Sequence, residues 1–318
     1  MMKGRKLIIW GGLLLLTLSC GPKKGKAPVV LTRDFPMMEV SMMMTEPMER
    51  MIWISQHFWD RFTATDSLFF CDSVTVNGVK APDLEKQMGI FATLVEQVPL
   101  KDGIKAMDLF FDRLEAFQLA KPSGNVLPET VALASRYFYD PNSPVRSEDL
   151  YLPFVSRLAA SALIQEDYRQ SYAWDAQMCA LNRTGTPAAD FVFIDTAGKR
   201  RTLYGIHAPR TLLIFGNPDC KACKELLEQM EEYPEVSAMI ADDRLKVVDI
   251  YIDQEIDLWK ERMATYPAQW INGYDPSFTI RENLVYNVRA VPSLYLLDAK
   301  KTVLLKDATP EKVLSALL

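Results

Sequence analysis

Two cysteines three residues apart, Cys220 and Cys223, stand where an apolar run, Thr211-Leu-Leu-Ile-Phe-Gly216, gives way to a helical pattern reaching Met230. A thiol at a helix N-terminus meets the positive end of the helix dipole, which favours thiolate over thiol. One helical turn between the sulfurs lets a disulfide form and break with little backbone movement. That is the chemistry of thiol–disulfide exchange. Lys221 and Lys224 place positive charge beside the thiols and Asp219 opposes them. A zinc site would need two further ligands. The two histidines are His57 and His207, and Cys71 and Cys179 belong to the other half of the chain, so no metal is expected. No other cofactor is expected either.

The elements that must hold these thiols alternate strand and helix. Residues 191–195 read as a short strand, 196–199 as a turn and 201–203 as a return strand, together a hairpin. The strand 211–215 then feeds the cysteine helix, which presents Leu226, Leu227 and Met230 to a sheet and Glu225, Glu228 and Glu231 to solvent. A strand over 245–252, a helical segment over 256–266, a second hairpin (293–297 with 302–305) and a terminal helix opened by Thr309-Pro310 complete an α/β pattern.

Upstream the period is helical. Leu84, Met88, Phe91, Val95 and Val98 recur over two heptads, and Ile104, Met107, Phe110 and Leu114 form another stripe. Ser147 reads as an N-cap for a helix carrying Leu150, Phe154 and Leu158. Breakers at Asn77-Gly78, Pro99, 121–124 and 140–144 divide the region into five to seven helices. It holds no catalytic constellation. His57, beside Phe58 and Trp59, reads as structural, and Cys179, on an apolar stripe, as a buried inert thiol. Cys71 falls in a loop, and a Cys71–Cys179 disulfide is left open. The methionines at 37, 38, 42, 43 and 44 read as an adaptable packed strand rather than a copper(I) site.

A chain of 318 residues, 49% hydrophobic and 24% charged, has room for two globular domains. Its net charge of −5 gives no reason to expect nucleic acid as a partner. Lys3, Arg5 and Lys6 followed by the apolar run 7–18 form an export leader, too short to span a membrane. Leu16-Thr-Leu-Ser-Cys20-Gly resembles the lipobox of bacterial lipoproteins, which implies cleavage before Cys20 and lipidation of that cysteine. The expected organisation is a signal peptide over 1–19, a tether and irregular segment over 20–46, a helical domain over 47–185 and an α/β domain over 186–318. A lipid anchor makes the membrane a partner. Gly21, where many inner-membrane lipoproteins carry aspartate, points to the outer membrane facing the periplasm. Four cysteines besides Cys20 are too few for a disulfide scaffold.

Residues 186–318 resemble the TlpA/ResA-like envelope oxidoreductases of the thioredoxin fold. The likeness lies in Ala189-Asp-Phe191, Asp195, Gly198-Lys199 and Leu203, in the Cys-x-x-Cys at a strand–helix junction, and in Val291-Pro292 ahead of a strand. It implies a thioredoxin-like fold with an extra N-terminal β-hairpin, following an all-α N-terminal domain. It implies that Cys220 attacks, Cys223 resolves, and Val291 and Pro292, with a cis peptide, meet the client. It further implies protein thiol and disulfide clients, an upstream envelope electron donor, and reduction as the direction. Two positions depart from thioredoxin: Asp219 replaces the tryptophan before the first cysteine, and Ile214 replaces the buried acid. Proton transfer must then use water or another acid, with Asp253 and Glu255 as candidates. A peroxiredoxin is disfavoured because Asn217 stands where its threonine would. The upstream region resembles an uncharacterised helical domain found ahead of thioredoxin domains in Gram-negative lipoproteins. The alternative function is a client-binding lipoprotein whose thioredoxin-like domain is structural or vestigial.

Overall fold

A computed structural model of the chain describes residues 32–65, 69 and 71–318. The leader and the lipidation candidate Cys20 lie outside the described residues. Six α-helices among them build the N-terminal part: α1 (Pro47–His57), α2 (Ala81–Gln97), α3 (Leu100–Ala120), α4 (Val126–Ala134), α5 (Glu148–Ala160) and α6 (Glu166–Cys179). The α2 stripe of Leu84, Met88, Phe91 and Val95 is buried, as is the α3 stripe of Met107, Phe110 and Leu114. Trp59 stacks on Phe110 at 4.6 Å and meets Phe91 edge-on at 5.5 Å, so aromatic area fills the centre of the bundle. Ser147 caps α5, its Oγ accepting from Leu150 N–H at 3.3 Å.

Among the described residues, the helical part carries a short β-hairpin. Thr75–Val76 (β1) and Val79–Lys80 (β2) pair antiparallel around Asn77-Gly78, whose φ values of 46° and 82° suit a two-residue hairpin turn. His57 donates or accepts at Asp60 Oδ2 (2.7 Å) and stacks on Trp53 at 4.5 Å, a structural arrangement. Cys179 is fully buried, and burial pushes its thiol pKa well up. Cys71 is half-buried, and both thiols are free. The methionine cluster departs from expectation. Met38 packs on the core, but Met42 and Met43 project into solvent, because the segment has no regular structure to turn alternate side chains inward.

The C-terminal part is a seven-stranded mixed sheet in the order β4-β3-β7-β6-β5-β8-β9. Its strands are β3 (Val192–Asp195), β4 (Arg200–Thr202), β5 (Arg210–Gly216), β6 (Leu245–Tyr251), β7 (Ile271–Tyr274), β8 (Ser293–Asp298) and β9 (Val303–Ala308). Its helices are α7 (Lys221–Glu231), α8 (Pro234–Ala241), α9 (Ile256–Arg262), α10 (Thr279–Glu282) and α11 (Pro310–Leu317). Central β5 runs parallel to β6 and antiparallel to β8. Its residues alternate between two cores: Leu212 and Ile214 pack with Leu226 and Met230 of α7, while Leu213 and Phe215 join Phe191, Tyr286 and Tyr295 on the other face. The fold is the thioredoxin-like one expected, with the β3–β4 hairpin as its N-terminal addition. The strand β7 escaped the sequence reading because Ile271-Asn-Gly-Tyr274 has little strand propensity. It pairs with β6 and β3, and Gly273 admits the Phe193 ring, which an added Cβ would meet at 2.5 Å.

Candidate active site

The seven-residue strand β5 ends at Gly216, and Asn217-Pro-Asp219 turns the chain into α7. Asn217 Oδ1 accepts from Asp219 N–H at 2.9 Å, an Asx turn that sets the entry to the helix. Cys220 is the N-cap of α7: its Sγ accepts from the Cys223 N–H at 3.3 Å. The Cys220 sulfur therefore sits at the positive end of the helix dipole. Cys223 lies one turn in and is buried, and burial, reinforced by the hydrogen bond with Cys220, pushes its thiol pKa well up. The pair is chemically unequal: one sulfur is accessible and helix-capped, the other shielded.

Val291 and Pro292 come from the loop before β8 and face the dithiol. Their peptide is cis. The Cys220 thiol donates to the Val291 carbonyl at 3.4 Å. The four site residues Cys220, Cys223, Val291 and Pro292 thus converge across 71 residues of chain, because β5 and β8 are neighbouring strands with Phe215 opposite Ser293.

The charges around the dithiol are arranged differently from the sequence reading. Lys221 turns away to Glu225 at 3.2 Å and is 90% exposed, so solvent screens it. Asp219 pairs with Arg262 at 3.3 Å, which offsets its charge beside Cys220. Asp253 is tied to Asn217 Nδ2 at 2.8 Å and to Arg281, and Glu255 is exposed at the start of α9. Neither is placed as the buried acid.

A carboxyl that is buried is Asp249, on the strand next to Ile214. The parallel register sets Ile214 opposite Asp249, and Asp249 shares the α7-covered sheet face with Leu245 and Val247. Its Oδ1 has no hydrogen-bond partner, and burial alone raises its pKa to about 7. Asp249 and Cys223 feel each other electrostatically. Gly216 makes the room: a Cβ there would stand 2.6 Å from Asp249 Oδ1. Tyr266 completes the cluster, its hydroxyl pKa pushed up by burial and then by Asp249 and both thiols. The signal in the sequence was Asp249 itself, a charged residue inside the apolar run Leu-Lys-Val-Val-Asp-Ile-Tyr-Ile252, which no local pattern explains.

A thioredoxin-like fold, a capped Cys-x-x-Cys and a facing Val-Pro define the class. A family model described as a thioredoxin-like domain matches residues 202–318, and one described as a domain of unknown function (DUF5106) matches residues 17–178. A thioredoxin-like protein from Bacteroides caccae is 33% identical over 90% of this chain and 98% of that one, with a TM-score of 0.77. The C-terminal domain of an uncharacterized protein from Bacteroides fragilis is 44% identical over 43% of this chain and 97% of its own, with a TM-score of 0.42. No curated protein matches the chain. The chain belongs to the family of thioredoxin-like proteins that carry a DUF5106 domain.

Proposed function

We propose that the protein is a thiol–disulfide oxidoreductase that reduces protein disulfides through Cys220 and Cys223. The observation that carries the reading is the asymmetry of the pair: Cys220 caps α7 under the Val291 carbonyl, and Cys223 lies buried behind it. The Cys220 thiolate attacks a client disulfide, the client S–S bond breaks, and one client sulfur leaves as a thiolate that takes a proton. Cys223 then gives its proton to the Asp249 carboxylate and attacks the Cys220 sulfur of the mixed disulfide. The second client sulfur leaves, the client has gained two electrons, and Cys220–Cys223 has become a disulfide. A dithiol electron donor of the envelope returns the pair to its reduced form. A carboxyl that ionises near pH 7 suits the acceptor role, since it is partly charged at neutral pH and interacts electrostatically with the Cys223 thiol. Lipidation at Cys20 would hold the enzyme at the outer membrane, facing the periplasm, where its clients are oxidised.

The test is thiol trapping. In a Cys223→Ser variant, Cys220 should accumulate mixed disulfides with envelope proteins, and the wild-type pair should reduce insulin. Absence of both results sinks the enzyme reading and leaves the client-binding alternative. That alternative draws support from the groove between α4 and α6, lined by Leu127, Val131, Leu163, Ile164, Tyr168 and Tyr172. Labelling with palmitate, lost in Cys20→Ala, tests the anchor.

A further inference from the structure

The Val291–Pro292 turn is tied on both sides to a charge cluster rooted in the helical domain. Upstream of the turn, Asn287 Nδ2 and Arg289 Nε both donate to Glu148 Oε1, at 2.6 and 3.0 Å. Glu148 is the first residue of α5, and its side chain is fully buried. Downstream, Ser293 Oγ donates to Asp307 Oδ1 at 2.8 Å. Asp307 in turn accepts from Arg289 Nη2 at 2.8 Å, and its backbone carbonyl accepts from Arg146 Nε at 3.0 Å. Arg146 and Glu148 belong to the helical part, Asp307 to β9. Lys306 closes the cluster on Glu148 Oε2 at 2.8 Å and on the Cys179 carbonyl at 2.6 Å.

A surface contact between domains would be made by exposed, screened pairs of small consequence. These groups are desolvated, so the hydrogen bonds to Glu148 Oε1 and Asp307 are strong and directional, Lys306 meets Glu148 Oε2 as an ion pair, and the loss of Glu148 strands its partners. The cluster touches the chain two residues before Val291 and one residue after Pro292. It does not reach the cysteines, and its route to them is the Val291 carbonyl that accepts from the Cys220 thiol. A hydrogen bond from a thiol to a carbonyl favours the thiol over the thiolate. The place of that carbonyl is thus held, in part, by a carboxylate of the other domain.

We infer that Glu148 is a positioning residue for the dithiol, and that through it the helical domain sets the reactivity of Cys220. The inference deepens the oxidoreductase reading and rests on it for its biological purpose. The helical domain then has a duty beyond any capture of clients: a displacement of α5 would shift the Val291–Pro292 turn and alter the attacking thiol.

The experiment uses the full chain with Glu148→Gln and, as control, Glu96→Gln. The control breaks the Glu96–Lys312 ion pair at the same domain boundary without touching residues 285–293. The readout is the rate of Cys220 alkylation by iodoacetamide at pH 7, followed on the Cys220 peptide by mass spectrometry. Glu148→Gln should loosen the turn, withdraw the carbonyl and quicken alkylation by roughly two- to tenfold, the range that one modest hydrogen bond spans. Glu96→Gln should alkylate at the wild-type rate. Equal rates in all three proteins, or equal acceleration in both variants, would overturn the inference. Asn287→Ala cuts the tie to Glu148 Oε1 from the other side and should accelerate alkylation in the same direction; if Glu148→Gln does not fold, an unchanged rate in Asn287→Ala overturns it. Because alkylation needs no client, a wild-type protein that fails to reduce insulin removes the oxidoreductase reading while this comparison still reads the positioning role.

Discussion

At the scale of the residue, Asp249 poses an electrostatic problem with a measurable signature. A carboxyl on the covered face of a sheet, with one oxygen unpartnered, loses hydration that no partner replaces, and its pKa climbs to about 7. In the unfolded chain the same group ionises near pH 4, by the usual aspartate value of about 3.9. Between those values the folded chain binds more protons than the unfolded one, so stability falls as pH rises. The loss reaches on the order of 4 kcal/mol above pH 7. Asp249→Asn removes this dependence. The variant should match the wild type in urea titrations near pH 4 and exceed it increasingly toward pH 8; parallel pH curves would contradict the burial argument. The same substitution should slow resolution of the mixed disulfide by about a hundredfold, the lower range for a positioned acid or base. Insulin turnover at pH 7 measures that, and an unchanged rate would return the proton to water.

At the scale of the element, α7 is a helix whose cap is also the proposed nucleophile. The Cys220 sulfur satisfies the Cys223 N–H, one of the four donors that a helix N-terminus leaves open. Cys220→Ser keeps an acceptor there, and Cys220→Ala does not. Both variants should lose all turnover, but the alanine should be less stable than the serine by about 0.5–2 kcal/mol, the usual worth of an N-cap. Equal denaturation midpoints would mean that the sulfur does not act as a cap. The strand before the helix carries a matching demand at Gly216. An alanine there meets Asp249 Oδ1 at 2.6 Å, so Gly216→Ala should displace the carboxyl and mimic the slow resolution of Asp249→Asn. The stripe of α7 was legible in advance because Leu226 and Met230 fall at helical spacing and are buried as expected. The strand β7 was not, because its pairing with β3 and β6 comes from neighbours distant in sequence.

At the scale of the whole molecule, the two parts are joined by charges that neither can keep buried alone. Lys306 and Arg289 are nearly enclosed, and Glu148 answers both. Removing it leaves Lys306 without its carboxylate and Arg289 with Asp307 alone, which costs about 3–5 kcal/mol when a buried pair is broken from one side. Glu148→Ala should therefore destabilise both parts together. Calorimetry should show one cooperative transition in the wild type and two separated transitions in the variant. Two transitions already present in the wild type would mean that the boundary is too weak to couple the domains. No helix among the described residues is long and apolar enough to cross a membrane.

What the sequence determined by itself was local. Helical stripes, the order of strands, the cap at Ser147 and the Cys-x-x-Cys at a strand end follow from periodicity and near-neighbour chemistry, which act within a few residues of chain. The likeness to thioredoxins added the opposing Val291-Pro292 and the unequal roles of the thiols. The tertiary structure decided what depends on register and on contacts between distant segments. It set Asp249 opposite Ile214, one strand over from the acid that the family pattern led us to seek. It turned Lys221 outward to Glu225, a choice of side-chain direction that spacing leaves open. It also brought Glu148 to Arg289 across 141 residues, where desolvation makes a bond consequential that no sequence pattern marks. Burial is a property of the assembled molecule, and burial is what gives Asp249, Cys223 and Glu148 their chemistry.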